Sequence, residues 1–200
     1  MHYEIDREEI DELLKVEGEV KGAVFKTDLH YIIERGGKES IKKVENKLKE
    51  MGQDFDFEKD STNLSSHPIG LRVLSLIAIS QVFDLNREDI KDMGRTAPKF
   101  SMVVKFFMRY LISVQSIMDK AGDLWKKHYS VGRLEVSENN EEKRYMKIAL
   151  YDLSLHPILC DYLSAYFEFI VKLGVGEEVT SEEVMCTHKG DNYHEFIERW

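Results

Sequence analysis

After Gly132 the apolar residues change their spacing, and that change limits the folds open to this chain. From Arg133 they alternate: Leu134 and Val136 point one way, Arg133, Glu135 and Ser137 the other. A period of two is that of a half-buried strand. Asn139-Asn140-Glu141-Glu142 is a turn and Tyr145 to Leu153 the return strand, which predicts a hairpin. Pro157 to Leu173 is an aromatic-rich helix ending at Gly174. Val179 to Thr187 and Tyr193 to Trp200 form a second hairpin around Lys189-Gly190-Asp191-Asn192. Upstream, the pattern is mostly helical. Helices followed by an antiparallel sheet define an α+β fold: an N-terminal helical part, then two hairpins separated by a helix.

In the helical part, Ile10, Leu13 and Leu14 share one face of a helix over residues 6–16, with Asp6 as its N-cap. Val20 to Phe25 is a short strand candidate. Asp28 to Arg35 is helical and stops at Gly36-Gly37. Lys38 to Met51 is amphipathic, with Ile41, Val44 and Leu48 inward. Residues 53–67 read as a polar, mobile loop. Pro68 to Leu85 is apolar nearly all round, so it is expected to be buried on most sides. A short helix from Arg87 to Met93 ends at Gly94-Arg95. Helices over Phe100–Ser113 and Val114–Tyr129 follow.

The 200 residues suffice for one core. A net charge of −9 disfavours nucleic acid, whose phosphates need a basic surface. No apolar run reaches the roughly 18 residues that span a bilayer. The first residues are polar and acidic, neither a signal nor a transit peptide, which predicts a cytoplasmic protein. Two cysteines do not make a disulfide framework. They are core residues, metal ligands or a redox pair.

The order of elements resembles a superfamily: the 4-vinyl-reductase domain, the heme nitric-oxide/oxygen-binding (H-NOX) sensors and the TRAPP-type tethering subunits. The matching stretches are Val20-Lys-Gly-Ala-Val, Ile90 to Arg95, Leu124-Trp125 to Val136, the helix after His156, and Cys186-x₃-Gly190-Asp191-x₂-His194-x₅-Trp200. The resemblance covers almost everything after residue 19. It implies an N-terminal helical extension over 1–19 and a single vinyl-reductase/H-NOX-like domain over 20–200. The heme sensors use a proximal histidine on the helix matching Val114–Tyr129. Here that helix has none until His128, at its end. Their propionate clamp, Tyr-x-Ser-x-Arg, matches only Tyr151-Asp-Leu-Ser-Leu155, which lacks the arginine. Heme is therefore not expected.

Four residues suggest zinc. His156 and Cys160 lie one helical turn apart, on one face. A tight turn over Lys189 to Asp191 sets Cys186 across from His194, at a cross-strand distance suited to two ligands of one ion. If the helix packs on the sheet, His156, Cys160, Cys186 and His194 form a Cys₂His₂ cage. The alternative reading has both cysteines as small buried hydrophobes.

Met102, Val103, Phe106, Phe107, Tyr110, Leu111, Val114, Ile117 and Met118 are expected to line the space between helices and sheet. The relatives enclose an apolar ligand there, so the resemblance implies a pocket for a small hydrophobic molecule. The aromatic set Tyr162, Tyr166, Phe167 and Phe169, with the helix from Pro68, is expected to offer a homodimer face. There is no phosphate loop, nucleophile elbow or His-Glu-x-x-His, and Glu182-Glu183 reads as solvated charge. The sequence thus predicts a non-catalytic sensor for a small hydrophobic ligand, signalling through a dimer. The alternatives are a scaffolding protein with a filled core and a tetrapyrrole-related accessory factor.

Overall fold

The computed structural model describes residues 3–101, Val104 and 113–200. The fold is α+β, with eight α-helices among the described residues and two antiparallel sheets. Helix α1 (Arg7–Lys15) starts at a capping box: Asp6 accepts from Glu9 N and Glu9 reaches back to Asp6 N. Strand β1 (Glu19–Lys21) is only three residues long. The helix then begins at Gly22, well before the expected Asp28, so α2 spans Gly22–Gly36. Gly22 explains this sharp change. A Cβ there would sit 2.0 Å from Ser65 Oγ and 2.4 Å from the Thr62 carbonyl. Only glycine lets the chain turn from strand to helix against that loop.

Helix α3 (Glu39–Glu50) buries Ile41, Val44 and Leu48, as its spacing predicts. The segment read as a mobile loop is instead ordered around two phenylalanines. Phe55 and Phe57 are buried, and Phe25, Phe55 and His67 pack ring to ring. Asp56 caps the short helix α4 (Phe57–Asp60), and Glu45 accepts from Phe57 N. Strand β2 (Ser66–Pro68) then pairs antiparallel with β1. The Asp-Phe-Asp-Phe run looks polar by composition, yet its rings are what the core takes.

Helix α5 (Ile69–Phe83) is buried from Ile69 through Ser80. Helix α6 (Arg87–Phe100) does not stop at Gly94 but runs on through Pro98. Gly94 is a packing residue: a Cβ there would lie 2.2 Å from the Tyr162 carbonyl. The expected helix over Phe100–Ser113 lies mostly outside the described residues. Helix α7 (Val114–Lys126) starts at the Ser113 capping box.

Strands β3 (Arg133–Asn140) and β4 (Tyr145–Tyr151) form the first hairpin. Helix α8 (Pro157–Val175) follows and ends at Gly176 in the left-handed conformation (φ 73°), one turn-signal later than Gly174. Strands β5 (Thr180–Met185) and β6 (His194–Arg199) complete the sheet in the order β3-β4-β6-β5. The inward residues of β6, His194, Phe196 and Glu198, face α8 with Ser181 and Glu183 of β5. Backbone bonds from Lys21 N to the His128 carbonyl and from Ser130 N to the Glu19 carbonyl tie the end of α7 to β1. That tie sets the position of His128 and Tyr129.

Candidate functional site

Two features stand out along α8, one apolar and one rich in metal-ligating groups. The first is a cavity of about 60 Å³. Its walls come from α2 (Ala23, Val24, Thr27), α7 and the residues after it (Ile117, Ala121, Leu124, Trp125, His128, Tyr129), the sheet (Leu134, Ile148) and α8 (Tyr162, Leu163, Tyr166, Phe167, Ile170), with Ser101. Of the pocket residues expected from sequence, Ile117 lines the cavity. Val114 packs on the core beside it, and Met118 is half-buried elsewhere on α7. Met102, Val103, Phe106, Phe107, Tyr110 and Leu111 lie outside the described residues.

The aromatic set assigned to a dimer face is largely turned inward. Tyr162 and Phe167 are buried, and with Tyr166 they line this cavity. Helix α5, offered for the same interface, is covered by the chain's own elements. An all-round apolar helix is equally well satisfied by a core on every side.

The few polar groups in the cavity wall are held neutral. Burial pushes the Tyr129, Tyr162 and Tyr166 hydroxyls up, so they remain protonated donors. Burial pulls the His128 imidazole down. Its Nδ1 lies 3.0 Å from the Leu124 carbonyl. A carbonyl can only accept, so Nδ1 carries the proton and Nε2 keeps its lone pair. Trp125 donates through Nε1 to the Val131 carbonyl at 2.8 Å and stacks on Tyr129 at 4.2 Å. Directly behind this wall lies an ion pair, Arg72 on α5 with Asp28 on α2, both side chains 0% exposed. The Arg72 guanidinium sits 4.5 Å over the Tyr162 ring.

The second feature lies near the start of α8. Cys160, Glu183, Cys186 and His194 each offer one ligand atom, and all four atoms lie within 4.8 Å of one another. The fold assembles them simply. Cys160 is on the sheet-facing side of α8, Glu183 is an inward residue of β5, and β5 and β6 pair so that Met185 faces Glu195. One step further brings Cys186 beside His194. The turn is pinned because Lys189 N and Asp191 N donate to the Cys186 carbonyl, while Cys186 N donates to Asp191 Oδ2.

The orientation of His194 is informative. Its Nε2 lies 3.1 Å from the Leu153 carbonyl and 2.9 Å from Thr187 Oγ1. The carbonyl requires a proton on Nε2, so in the neutral ring Nδ1 presents a lone pair. That lone pair faces Glu183 Oε1 at 3.0 Å and Cys160 Sγ at 3.7 Å. The imidazole nitrogen and the carboxylate are acceptors turned toward one another, and they need a proton or a cation between them. Burial pushes both thiols up, Cys160 far above the usual range. Burial alone would raise Glu183, but a proton placed between it and His194 Nδ1, and a hydrogen bond from the Cys186 thiol, hold it below the usual carboxylate range. Two sulfurs, one imidazole nitrogen and one carboxylate oxygen suit tetrahedral zinc. The Nε2–H to Leu153 contact is of the kind that orients a ligating histidine. A polar cleft of about 160 Å³, lined by Arg87, Lys91, Asp161 and Lys189 among others, reaches Cys160 and Glu183 from outside.

His156, the fourth residue of the cage expected from sequence, is not brought into this cluster. It caps α8: its Nδ1 accepts from Ile158 N at 3.1 Å, and its ring meets Tyr3 edge-on. The residue before a proline is kept out of helical geometry. His156 therefore stays in the cap and cannot join the face one turn below. Glu183 takes the place, although its neighbour pair suggested solvated charge. Its signal was the alternation along β5, which puts Glu183 inward and Glu182 outward. Arg72 and Asp28 were missed because one charge within an apolar helix reads as an interruption.

No protein-family model matches the chain, and no curated protein matches its sequence. Solved structures do match its fold. An H-NOX protein from S. oneidensis in the Fe(II)NO ligation state has a TM-score of 0.65 at 12% identity, covering 90% of this chain and 98% of that one. An oxygen-binding H-NOX domain related to soluble guanylate cyclases has a TM-score of 0.60 at 18% identity, covering 90% and 93%. A structure from a study of heme distortion in the H-NOX family has 0.62 at 19%, covering 90% and 94%. The chain therefore has an H-NOX-like fold. These neighbours are heme proteins, and that overturns the expectation, drawn from missing motif residues, that heme be set aside. The physical reason lies in the folded chain. A histidine at a helix end looks remote from a pocket in sequence, yet His128 is in the cavity wall.

Proposed function

We propose that this protein is a non-catalytic sensor domain that binds a small, largely apolar ligand between α2, α7, α8 and the sheet. The observation that carries this reading is a cavity walled by four separate elements, with only neutral polar groups in its lining. A site shared by that many elements links ligand binding to their relative placement, which is what a sensor requires. A zinc ion held by Cys160, Glu183, Cys186 and His194 would lock the β5–β6 turn onto α8, and so fix the cavity's far wall. The vinyl-reductase branch of the superfamily is the one this reading favours; a homodimer as its output state would have to use surfaces other than Tyr162, Phe167 and α5, which the core covers. Native mass spectrometry of the purified chain tests all three parts together. Expected are a co-purifying small molecule, one metal per chain and a dimer. A bare, metal-free monomer that takes up no apolar probe would refute the reading in favour of scaffolding.

A second reading is favoured by one observation, the tautomer of His128. A buried neutral imidazole with its Nδ1–H tied to a carbonyl has the form of an iron ligand. His128 would hold the heme, which would supply an iron able to bind a diatomic gas. Tyr129, Tyr162 and Tyr166 would then shape the pocket around it. A porphyrin is larger than the present cavity, so loading would have to part α7 from α8. Titration with hemin, followed by its Soret band, tests this. Expected is a saturable band that His128→Ala abolishes; no band, or one unchanged in the variant, would refute it.

A further inference from the structure

The buried ion pair behind the cavity is incomplete. Arg72 donates through Nη1 to Asp28 Oδ2, which also accepts from Ser75 Oγ at 3.0 Å. Arg72 Nε and Nη2, and Asp28 Oδ1, have no hydrogen-bond partner within 3.5 Å among the described residues, although their side chains are fully buried; the Tyr129 hydroxyl faces the guanidinium from farther off. An unmade bond of this kind carries the full desolvation cost of the group. Native interiors fill such positions with a partner, a water or a ligand.

The unfilled edge has a definite shape. Nε–H and the nearer Nη2–H of a guanidinium are parallel and coplanar, the side of the fork that accepts a carboxylate in bidentate fashion. Asp28 occupies only the opposite end. The groups around Arg72 belong to the cavity. Its guanidinium lies over the Tyr162 ring, and its positive charge helps to keep the nearby His128 imidazole from taking up a proton, after burial itself; Tyr129 is the third neighbour. All three of these residues line the apolar space. Thr27, next in sequence to Asp28, lines it as well. The wall between cavity and fork is thus one layer of side chains, three of which carry hydroxyls: Thr27, Tyr129 and Tyr162.

Size narrows the occupant. The cavity measures about 60 Å³, well under the roughly 150 Å³ that accepts a benzene ring. The apolar part of the ligand is therefore a few carbons. Resting on the reading of this space as a ligand pocket, the geometry points to a short-chain carboxylate. Its alkyl tail would fill the cavity, and its carboxylate would pass between Tyr129 and Tyr162 to the open edge of Arg72. The tail alone accounts for the lining by Ile117, Leu163, Phe167 and Ile170. The carboxylate accounts for a buried arginine with an empty fork, which an all-apolar ligand leaves unexplained.

The test uses three ligands with one tail: 4,4,4-trifluorobutyrate, 4,4,4-trifluorobutyramide and 4,4,4-trifluorobutanol. Each is titrated into the full chain at neutral pH and followed by ¹⁹F NMR. Two charge-assisted bonds predict that the carboxylate binds about 10- to 100-fold tighter than the amide or alcohol. Arg72→Lys keeps the charge and removes the planar fork. It is expected to erase most of that preference. Equal affinity for all three in the wild-type protein overturns the inference and leaves the apolar pocket standing. Binding of none of them overturns both. If Arg72→Lys fails to fold, Tyr129→Phe removes only the hydroxyl in the path and is expected to lower the same preference. An unchanged preference in the variant that folds also overturns the assignment of the fork.

Discussion

The Arg72–Asp28 pair makes a prediction that separates charge from packing. Both side chains are 0% exposed, so neither ion can recover hydration in place. Asp28→Asn keeps the shape but leaves a guanidinium that cannot release its proton. An uncompensated buried charge costs about 3–5 kcal/mol, or about 6–20 °C in Tm for a chain of this size. Arg72→Met leaves a carboxyl instead, and that group can escape by binding a proton. Burial already pushes Asp28 up against the pull of Arg72, and removing Arg72 pushes it further. The folded pKa then lies above the unfolded one, so the folded state binds more protons. Stability is retained below the unfolded carboxylate pKa of roughly 3.9 and is lost as pH rises toward the folded value, by up to about 1.4 kcal/mol per pH unit. Chemical denaturation of both variants and the double variant, at pH 5 and pH 8, measures this. Asp28→Asn is expected to be the worse at pH 5, and Arg72→Met to weaken steeply toward pH 8. The double variant is expected to recover about 2 kcal/mol or more over the sum of the singles. Equal, pH-independent and additive losses would refute the argument that the pair is a mutually dependent buried charge set.

Three more predictions concern other parts of the fold. Cys186→Ser is expected to lower the metal content measured by elemental analysis, whereas His156→Ala should keep the metal and lose only a helix cap, about 1 kcal/mol; equal metal in both variants would sink the four-ligand assignment. Gly94→Ala drives a methyl against the Tyr162 carbonyl, which a Cβ would approach to 2.2 Å. It should cost about 1–3 kcal/mol by urea denaturation, and a neutral result would mean that α6 and α8 are not held in that contact. Burial pushes Glu198 well up, and it accepts from Ser181 through Oε1. Its folded pKa is above its unfolded one, so wild-type stability should fall as pH rises above the usual glutamate range. Glu198→Gln should flatten that slope and raise Tm at pH 8; an unchanged pH profile would remove Glu198 as its source.

How far the fold was legible depended on whether the signal was local. The N-cap at Asp6, the stop at Gly36-Gly37, the inward row of Ile41, Val44 and Leu48, and the two C-terminal hairpins are settled within a few residues, and each is as expected. Gly22, Gly94 and the Phe55–Phe57 pair were misread for one shared reason. Each is defined by a distant contact, with the 60–65 loop, with α8 and with α2. The candidate site divides in the same way. Cys160, Cys186 and His194 could be singled out as rare, reactive types near tight turns. Glu183 could be separated from Glu182 only by the sheet's inward face, and His156 is held apart by Pro157.

By itself, then, the sequence determined the period of each segment and the order of helices and hairpins, because periodicity and capping act over one or two turns. Only the tertiary structure decided which polar groups lose their water. Arg72 differs little in sequence from Arg95, yet one lies at 0% exposure behind a cavity and the other pairs with Asp92 and Glu168 nearer the surface. His128 and His156 likewise differ by whether a wall or a cap receives them. Desolvation depends on everything packed around a group. It is the quantity that turns a common side chain into a candidate ligand, and it exists only once distant segments have come together.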